Sequence, residues 1–227
     1  MESEETMELT KLLQIESYIE GLFAQEDPIL LDVKATMKEA GLPAHNIFPN
    51  QSILLQILLR LGGACRVLEI GTLGGYSTIC LARALPQDGR VYTIEIEEKY
   101  ADIAQNNFLK ADLGDKIQIL RGEALEVLRQ LEEEGIEPFD FVFLDAHKPS
   151  YVEYFDWAVE HTAPGALIVA DNVIRDGAVL SPETTDEKAQ GVIAYNDMLA
   201  RRSDVQTILV PNISGNGYDG MALSVKR

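Results

Sequence analysis

Six polar side chains stand where apolar runs end: Glu69, Glu95, Asp145, Lys148, Asp171 and Asn172. Asp145, Asp171 and Asn172 are hard oxygen donors, a set that suits Mg²⁺, with Mn²⁺ or Ca²⁺ as alternatives, and leaves positions for water or substrate. Asp171-Asn172 alone also reads as an ordinary turn after a strand. A second aspartate with Lys148 three residues after it favours a site, and a partly desolvated lysine beside a cation is a candidate general base. His147 reads as a polar neighbour, and His45 and His161 have no partner in sequence. Tyr151 and Trp157 follow the loop and could touch an aromatic substrate, although the helical spacing of Tyr154, Phe155 and Trp157 suits core better than pocket.

Glu69 leads into Gly71-Thr72-Leu-Gly74-Gly75-Tyr-Ser77, a glycine turn at the start of a helix. Such a turn lets a ligand reach the backbone, and the helix start offers free N–H groups. Glu95 lies 24 residues after Gly71, where a carboxylate can accept both hydroxyls of a ribose. That distance suits NAD and S-adenosylmethionine alike. The glycines decide between them, because Glu-x-Gly-x-x-Gly-Gly lacks the Gly-x-Gly-x-x-Gly spacing that serves a pyrophosphate. Glu69 would repel a pyrophosphate and suits the ammonium or sulfonium end of S-adenosylmethionine.

The elements that must position these groups alternate. Near-continuous apolar runs predict strands at 66–70, 90–96, 116–121, 139–145 and 166–170, and helical patterns predict helices at 76–85, 98–111, 124–134, 151–160 and 186–202. This is a Rossmann-like, doubly wound α/β sheet, in which ligands bind beyond the carboxyl ends of the strands. Runs at 205–210 and 221–225, with 212–220 between them, predict an antiparallel C-terminal hairpin, giving seven strands, mostly parallel. Ahead of the sheet lie an acidic, frayed start to about residue 8 and apolar helical segments at 9–22, from Asp27-Pro28 to before Gly41, and at 52–61. Residues 1–227 therefore read as one domain, within which 1–62 form a helical cap or dimerisation segment.

Acids outnumber bases 37 to 19, for a net charge of −18 without a basic stripe, which disfavours a nucleic-acid partner. No apolar run is long enough to span a bilayer, and the acidic start lacks a signal-peptide pattern, so a cytoplasmic protein without a membrane partner is expected. Cys65 and Cys80 sit in apolar settings that suit small buried thiols in a reducing compartment.

Val-Leu-Glu-Ile-Gly-Thr-Leu-Gly-Gly-Tyr-Ser at 67–77, Gly122-Glu-Ala124, Phe-Leu-Asp-Ala-His-Lys at 143–148, Ile-Val-Ala-Asp-Asn-Val at 168–173 and Gly-Tyr-Asp-Gly-Met at 217–221 carry a resemblance. Together they resemble the cation-dependent O-methyltransferases, bacterial relatives of catechol and caffeoyl-coenzyme A O-methyltransferases, over about residues 49–227. The resemblance implies that Asp145, Asp171 and Asn172 are metal ligands and Lys148 the base. It places Glu69, Gly71, Thr72, Gly75, Ser77, Glu95, Gly122, Ala124 and Asp145 at the S-adenosylmethionine site. It implies a catechol-like small aromatic acceptor, or alternatively a hydroxyuridine in tRNA, and a homodimer. His147 departs from the family's usual Asp-Ala-Asp-Lys and alters the pocket's charge there. An NAD-dependent oxidoreductase and a non-catalytic S-adenosylmethionine-binding protein are the rival readings.

Overall fold

The computed structural model describes residues 4–214 and 217–227. The first three residues of the acidic start, and Gly215-Asn216 within the 212–220 stretch, lie outside them. Three leading helices, α1 (Glu4–Phe23), α2 (Pro28–Glu39) and α3 (Pro49–Gly62), precede the alternating region. There β1 (Arg66–Ile70), α4 (Tyr76–Ala84), β2 (Arg90–Glu95), α5 (Glu98–Lys110), β3 (Ile117–Arg121), α6 (Ala124–Glu133) and β4 (Phe139–Leu144) follow in turn. The chain closes with α7 (Tyr151–Glu160), β5 (Thr162–Ala170), α8 (Glu187–Arg201), β6 (Val205–Ser214) and β7 (Gly217–Lys226).

The strands form one seven-stranded sheet in the order β3-β2-β1-β4-β5-β7-β6. The first five named are parallel, and β7 runs antiparallel to both β5 and β6. This is the doubly wound architecture expected, with its switch point between β1 and β4. Alternation along the strands builds two cores. Val67, Phe141, Phe143 and Val169 face α2 to α5, while Leu68, Val142, Leu144 and Ile168 face α6 to α8. Residues 69, 145 and 171 share the parity of the first set, so their side chains emerge on the side of α3 and α4.

Several boundaries differ from the sequence expectation. The hairpin gap predicted at 212–220 is mostly strand, because Asn212↔Asp219 and Ile213↔Tyr218 continue the ladder to Ser214↔Gly217. Helix α3 starts at Pro49, three residues early, since proline is well suited to a first helical position. Helix α1 begins at Glu4 within the stretch expected to fray, and β5 begins at Thr162. Cys65 is exposed, against expectation, because it precedes β1 at the open amino end of the sheet; Cys80 is buried, and both are free thiols. Arg202, just past the end of α8, bridges Asp156 and Asp204.

One helical glycine serves the site. A Cβ on Gly191 of α8 would stand 2.6 Å from Pro149 Cα and 2.7 Å from the Lys148 carbonyl oxygen, so the bare backbone there admits the Lys148–Ser150 turn against the helix. Among the described residues no helix is long and apolar enough to cross a membrane.

Candidate active site

Parallel register assembles the site. Pairing carries Glu69 beside Phe143 and Leu144 beside Ala170, and it continues one residue further through Asp145 N–H to the Ile70 carbonyl (2.9 Å) and Asp171 N–H to the Leu144 carbonyl (3.0 Å). Gly71, Asp145 and Asp171 therefore stand in a row across three strand ends. Gly71 holds a φ of 106°, and a Cβ there would collide with the Asp145 carbonyl, so only glycine lets the two chains come this close. Above the row opens a cavity of about 1250 Å³. That exceeds the ~300–1,000 Å³ usual for one small-molecule site, so there is room for two ligands side by side.

Gly71, Thr72, Ser77, Glu95, Gly122 and Ala124 line the cavity at the ends of β1 to β3. Glu95 accepts N–H bonds from Leu73 (2.7 Å) and Glu97 (2.9 Å), and burial raises its carboxyl above the usual range. A carboxylate offers about four lone-pair sites, so capacity for ribose hydroxyls remains. Gly122, at φ 140°, ties its N–H to the Glu95 carbonyl and leads into α6 at Ala124. Glu69 is not a wall of the cavity. It is fully buried beneath it, where Ser77 (2.6 Å), Thr78 and Thr93 (2.6 Å) donate hydroxyl bonds to its carboxylate. Thr72 hydrogen-bonds Thr93 in turn (2.6 Å), so Glu69 anchors two cavity-lining hydroxyl residues, Ser77 and Thr72. Burial outweighs those bonds and raises its carboxyl from the usual 4.5 to about 7. Gly75 also stays out of the cavity, serving as the left-handed cap of α4 against Phe108.

At the ends of β4 and β5 the structure brings Asp145, Lys148, Asp171 and Asn172 together. Lys148 Nζ donates to Asp145 Oδ1 (2.9 Å), to the Asp171 carbonyl (3.2 Å) and to the Tyr151 hydroxyl. Desolvation, and then the Asp145 carboxylate beside it, push the Asp171 carboxyl upward, with Lys148 opposing. Asn172 takes the left-handed region at φ 57° and donates to Asp171 Oδ2 (3.3 Å). Among the described residues no cluster of three or more His, Cys, Asp or Glu is disposed to hold a metal. The set here is two aspartates and an amide, all oxygen donors, and two carboxylates crowded in a buried site are electrostatically suited to a divalent cation.

Three residues have roles that the sequence does not show. Gln51 of α3 donates to Asp171 Oδ1 (3.4 Å) and accepts the Phe48 N–H (2.9 Å), fixing the 43–48 segment as a cavity wall. Nothing in the sequence sets it apart from Asn50, Ser52 and Gln56 on the same helix. Tyr151 does not reach the cavity. Its buried hydroxyl lies 2.9 Å from the Leu144 carbonyl and 3.1 Å from that of Asp171, so it ties two strand ends to Lys148, a role its spacing of three from Lys148 could have signalled. Asp219, within a quoted motif but given no role, also lines the cavity. Trp157 lies away from it, stacked on His161 with ring centroids 4.0 Å apart, whereas Tyr154, read as core, has an edge in it. His147 and His45 both line it, His147 Nδ1 lying 3.0 Å from Ser150 Oγ.

Residues 22–227 match the O-methyltransferase family. The chain is 46% identical over 211 residues to a catechol O-methyltransferase of Niastella koreensis, covering 93% of this chain and 96% of that protein. It is 36% identical to a catechol O-methyltransferase of Mycobacterium tuberculosis, covering 94% and 95%. Its fold is similar to the Bacillus cereus O-methyltransferase in complex with SAH, with a TM-score of 0.93, 39% identity and coverage of 96% and 100%. It is likewise similar to TomG of Streptomyces achromogenes, an O-methyltransferase involved in tomaymycin synthesis, in complex with SAM, with a TM-score of 0.92, 41% identity and coverage of 96% and 98%.

Proposed function

The chain belongs to the O-methyltransferase family, and from that premise we propose that it methylates one of two vicinal hydroxyls of a catechol-like small molecule, using S-adenosylmethionine and a divalent cation. One observation carries the reading: Asp145 and Asp171 stand side by side, with Lys148 Nζ bonded to both residues, next to a glycine turn in the same cavity. Asp145, Asp171 and Asn172 would hold the cation, preferably Mg²⁺, with Mn²⁺ or Ca²⁺ as alternatives. When bound, S-adenosylmethionine supplies a methyl group activated on a positive sulfur, and the cation supplies charge that acidifies a chelated hydroxyl.

The chain's own groups do the rest. Glu95 accepts the ribose hydroxyls while its two backbone bonds hold it at the rim. Glu69 fixes Ser77, and through Thr93 also Thr72, at the cofactor wall. Lys148, when neutral, takes the acceptor's proton at Nζ, and Tyr151 and the Asp171 carbonyl set where that nitrogen sits. The segment 43–48 and the residues around Arg175 and Tyr218 enclose the acceptor and exclude water. No covalent enzyme intermediate is required. A homodimer belongs to the same reading and draws on Ile15, Tyr18, Leu22 and Phe23, which α1 leaves exposed; sedimentation at micromolar concentration tests it.

The deciding experiment incubates the protein with methyl-labelled S-adenosylmethionine and a panel of catechols, phenylpropanoid esters and tRNA, with Mg²⁺ or with EDTA. Transfer to catechols that stops in EDTA is expected. Undiminished transfer in EDTA would overturn the cation's role, and transfer to tRNA alone would overturn the acceptor.

A further inference from the structure

The loop after β5 carries an unusual concentration of left-handed backbone. Asn172, Arg175 and Asp176 have φ of 57°, 52° and 52°, and Gly177 follows at 78°. Non-glycine residues reach that region only at a cost, so something outside the loop must hold it there. The C-terminal hairpin does. Val173 N–H donates to the Gly220 carbonyl (3.0 Å), Asp176 N–H to the Tyr218 carbonyl (2.6 Å), and Tyr218 N–H to Asp176 Oδ1 (3.2 Å). At the centre of this contact one oxygen, Asp219 Oδ1, accepts three backbone N–H groups: Ile174 (3.1 Å), Arg175 (3.0 Å) and Gly220 (2.9 Å). Gly220 keeps the approach open, since a Cβ there would stand 2.8 Å from Ile174 Cδ1.

We infer that Asp219 is a positioning residue for the acceptor side of the cavity: its carboxylate clasps the 172–177 loop to the hairpin and so sets Asn172, Arg175 and Tyr218 as one rigid wall. The inference rests on the reading above that this end of the cavity receives the acceptor. The clasp works by accepting N–H bonds, not by carrying charge to a ligand. An amide oxygen can do the same, whereas a methyl group leaves the N–H groups of Ile174 and Arg175 unpaired.

The test compares Asp219→Asn with Asp219→Ala. Asp219→Ala should raise the KM for a catechol acceptor and lower kcat, together roughly 10- to 100-fold in kcat/KM, while the dissociation constant for S-adenosylmethionine, measured by calorimetry, stays within about twofold. Asp219→Asn should restore most of that loss. Hydrogen exchange gives a second readout that needs no turnover: the Ile174 and Arg175 amides should lose protection in the alanine variant and regain it in the asparagine one. If the asparagine variant is as impaired as the alanine one, or if the two amides exchange alike in wild type and Asp219→Ala, the clasp is overturned. Absence of catechol methylation by the wild-type protein, with the exchange pattern as expected, would instead overturn the acceptor reading and leave the clasp standing.

Discussion

The two ends of the cavity are built by different means. The end at β1 to β3 is assembled between residues 69 and 124, and its acids are satisfied locally: Glu95 by N–H groups at 73 and 97, Glu69 by hydroxyls at 77, 78 and 93. The end at β4 and β5 draws Gln51, Asp145, Asp171 and Asp219 from distant parts of the chain, and its one ammonium, Lys148, bonds the Asp145 carboxylate and the main-chain carbonyl of Asp171. The first is held in place by bonds made within one short stretch of chain. The second sets two acids beside one ammonium, and burial together with the Asp145 charge pushes the Asp171 carboxyl upward, the kind of perturbation that collects at reactive centres.

Substitutions should separate the two ends. The largest effect is expected for Asp171→Ala, which removes a proposed cation ligand and the partner of Gln51; turnover with a catechol should fall by roughly 10³-fold or more, while calorimetry still reads S-adenosylmethionine binding. Loss of both together would erase the distinction. Lys148→Ala should cost about 10²-fold or more in kcat with little change in cofactor affinity, and a kcat–pH profile identical to wild type would remove Lys148 from proton transfer.

Glu69 probes the end at β1 to β3 through stability. Its carboxyl titrates at about 7 when folded against 4.5 ordinarily. Below pH 4.5 both states are protonated and the contribution is complete. Between 4.5 and 7 the unfolded chain releases a proton that the folded protein keeps, so stability falls as pH rises and levels off above about 7. Compared with Glu69→Gln, the wild type should lose roughly 3 kcal/mol or less of unfolding free energy between pH 4.5 and 8, as read by urea denaturation. Parallel curves for the two proteins would mean that burial does not hold the proton. The smallest effect belongs to Glu95→Gln, which keeps oxygen acceptance on one side only; S-adenosylmethionine affinity should weaken about tenfold, of the order of one hydrogen bond to a charged group, with acceptor KM unchanged.

The same contrast explains what was legible in the sequence. Strand ends are visible as apolar runs stopped by an acid, and parallel register then places those ends together, so Asp145, Asp171, Glu95 and the glycine turn could be read from spacing. Gln51 and Asp219 could not, because nothing local distinguishes a polar residue that reaches across the fold from one facing solvent. Glu69 was read with the right neighbourhood but the wrong face. Its parity with Val67 turns it toward the hydroxyls of α4, beneath the cavity wall and not into it. The hairpin was drawn too short because Asn212 and Asp219 look like turn residues, yet they pair across a ladder. Tyr151 and Trp157 illustrate the limit of helical spacing. It places side chains on a face without saying which object that face meets.

The missing side chain at Gly71 has a consequence for how such a protein can diversify. At Gly71 the turn brings its bare main chain against the Asp145 carbonyl, so the separation between the two ends is written in backbone. The walls at 43–48, around Arg175 and at the hairpin are side-chain and loop surfaces, which substitution can reshape without moving that backbone. Substitutions in the walls should therefore change the shape of the cavity while the reach from one end to the other stays the same.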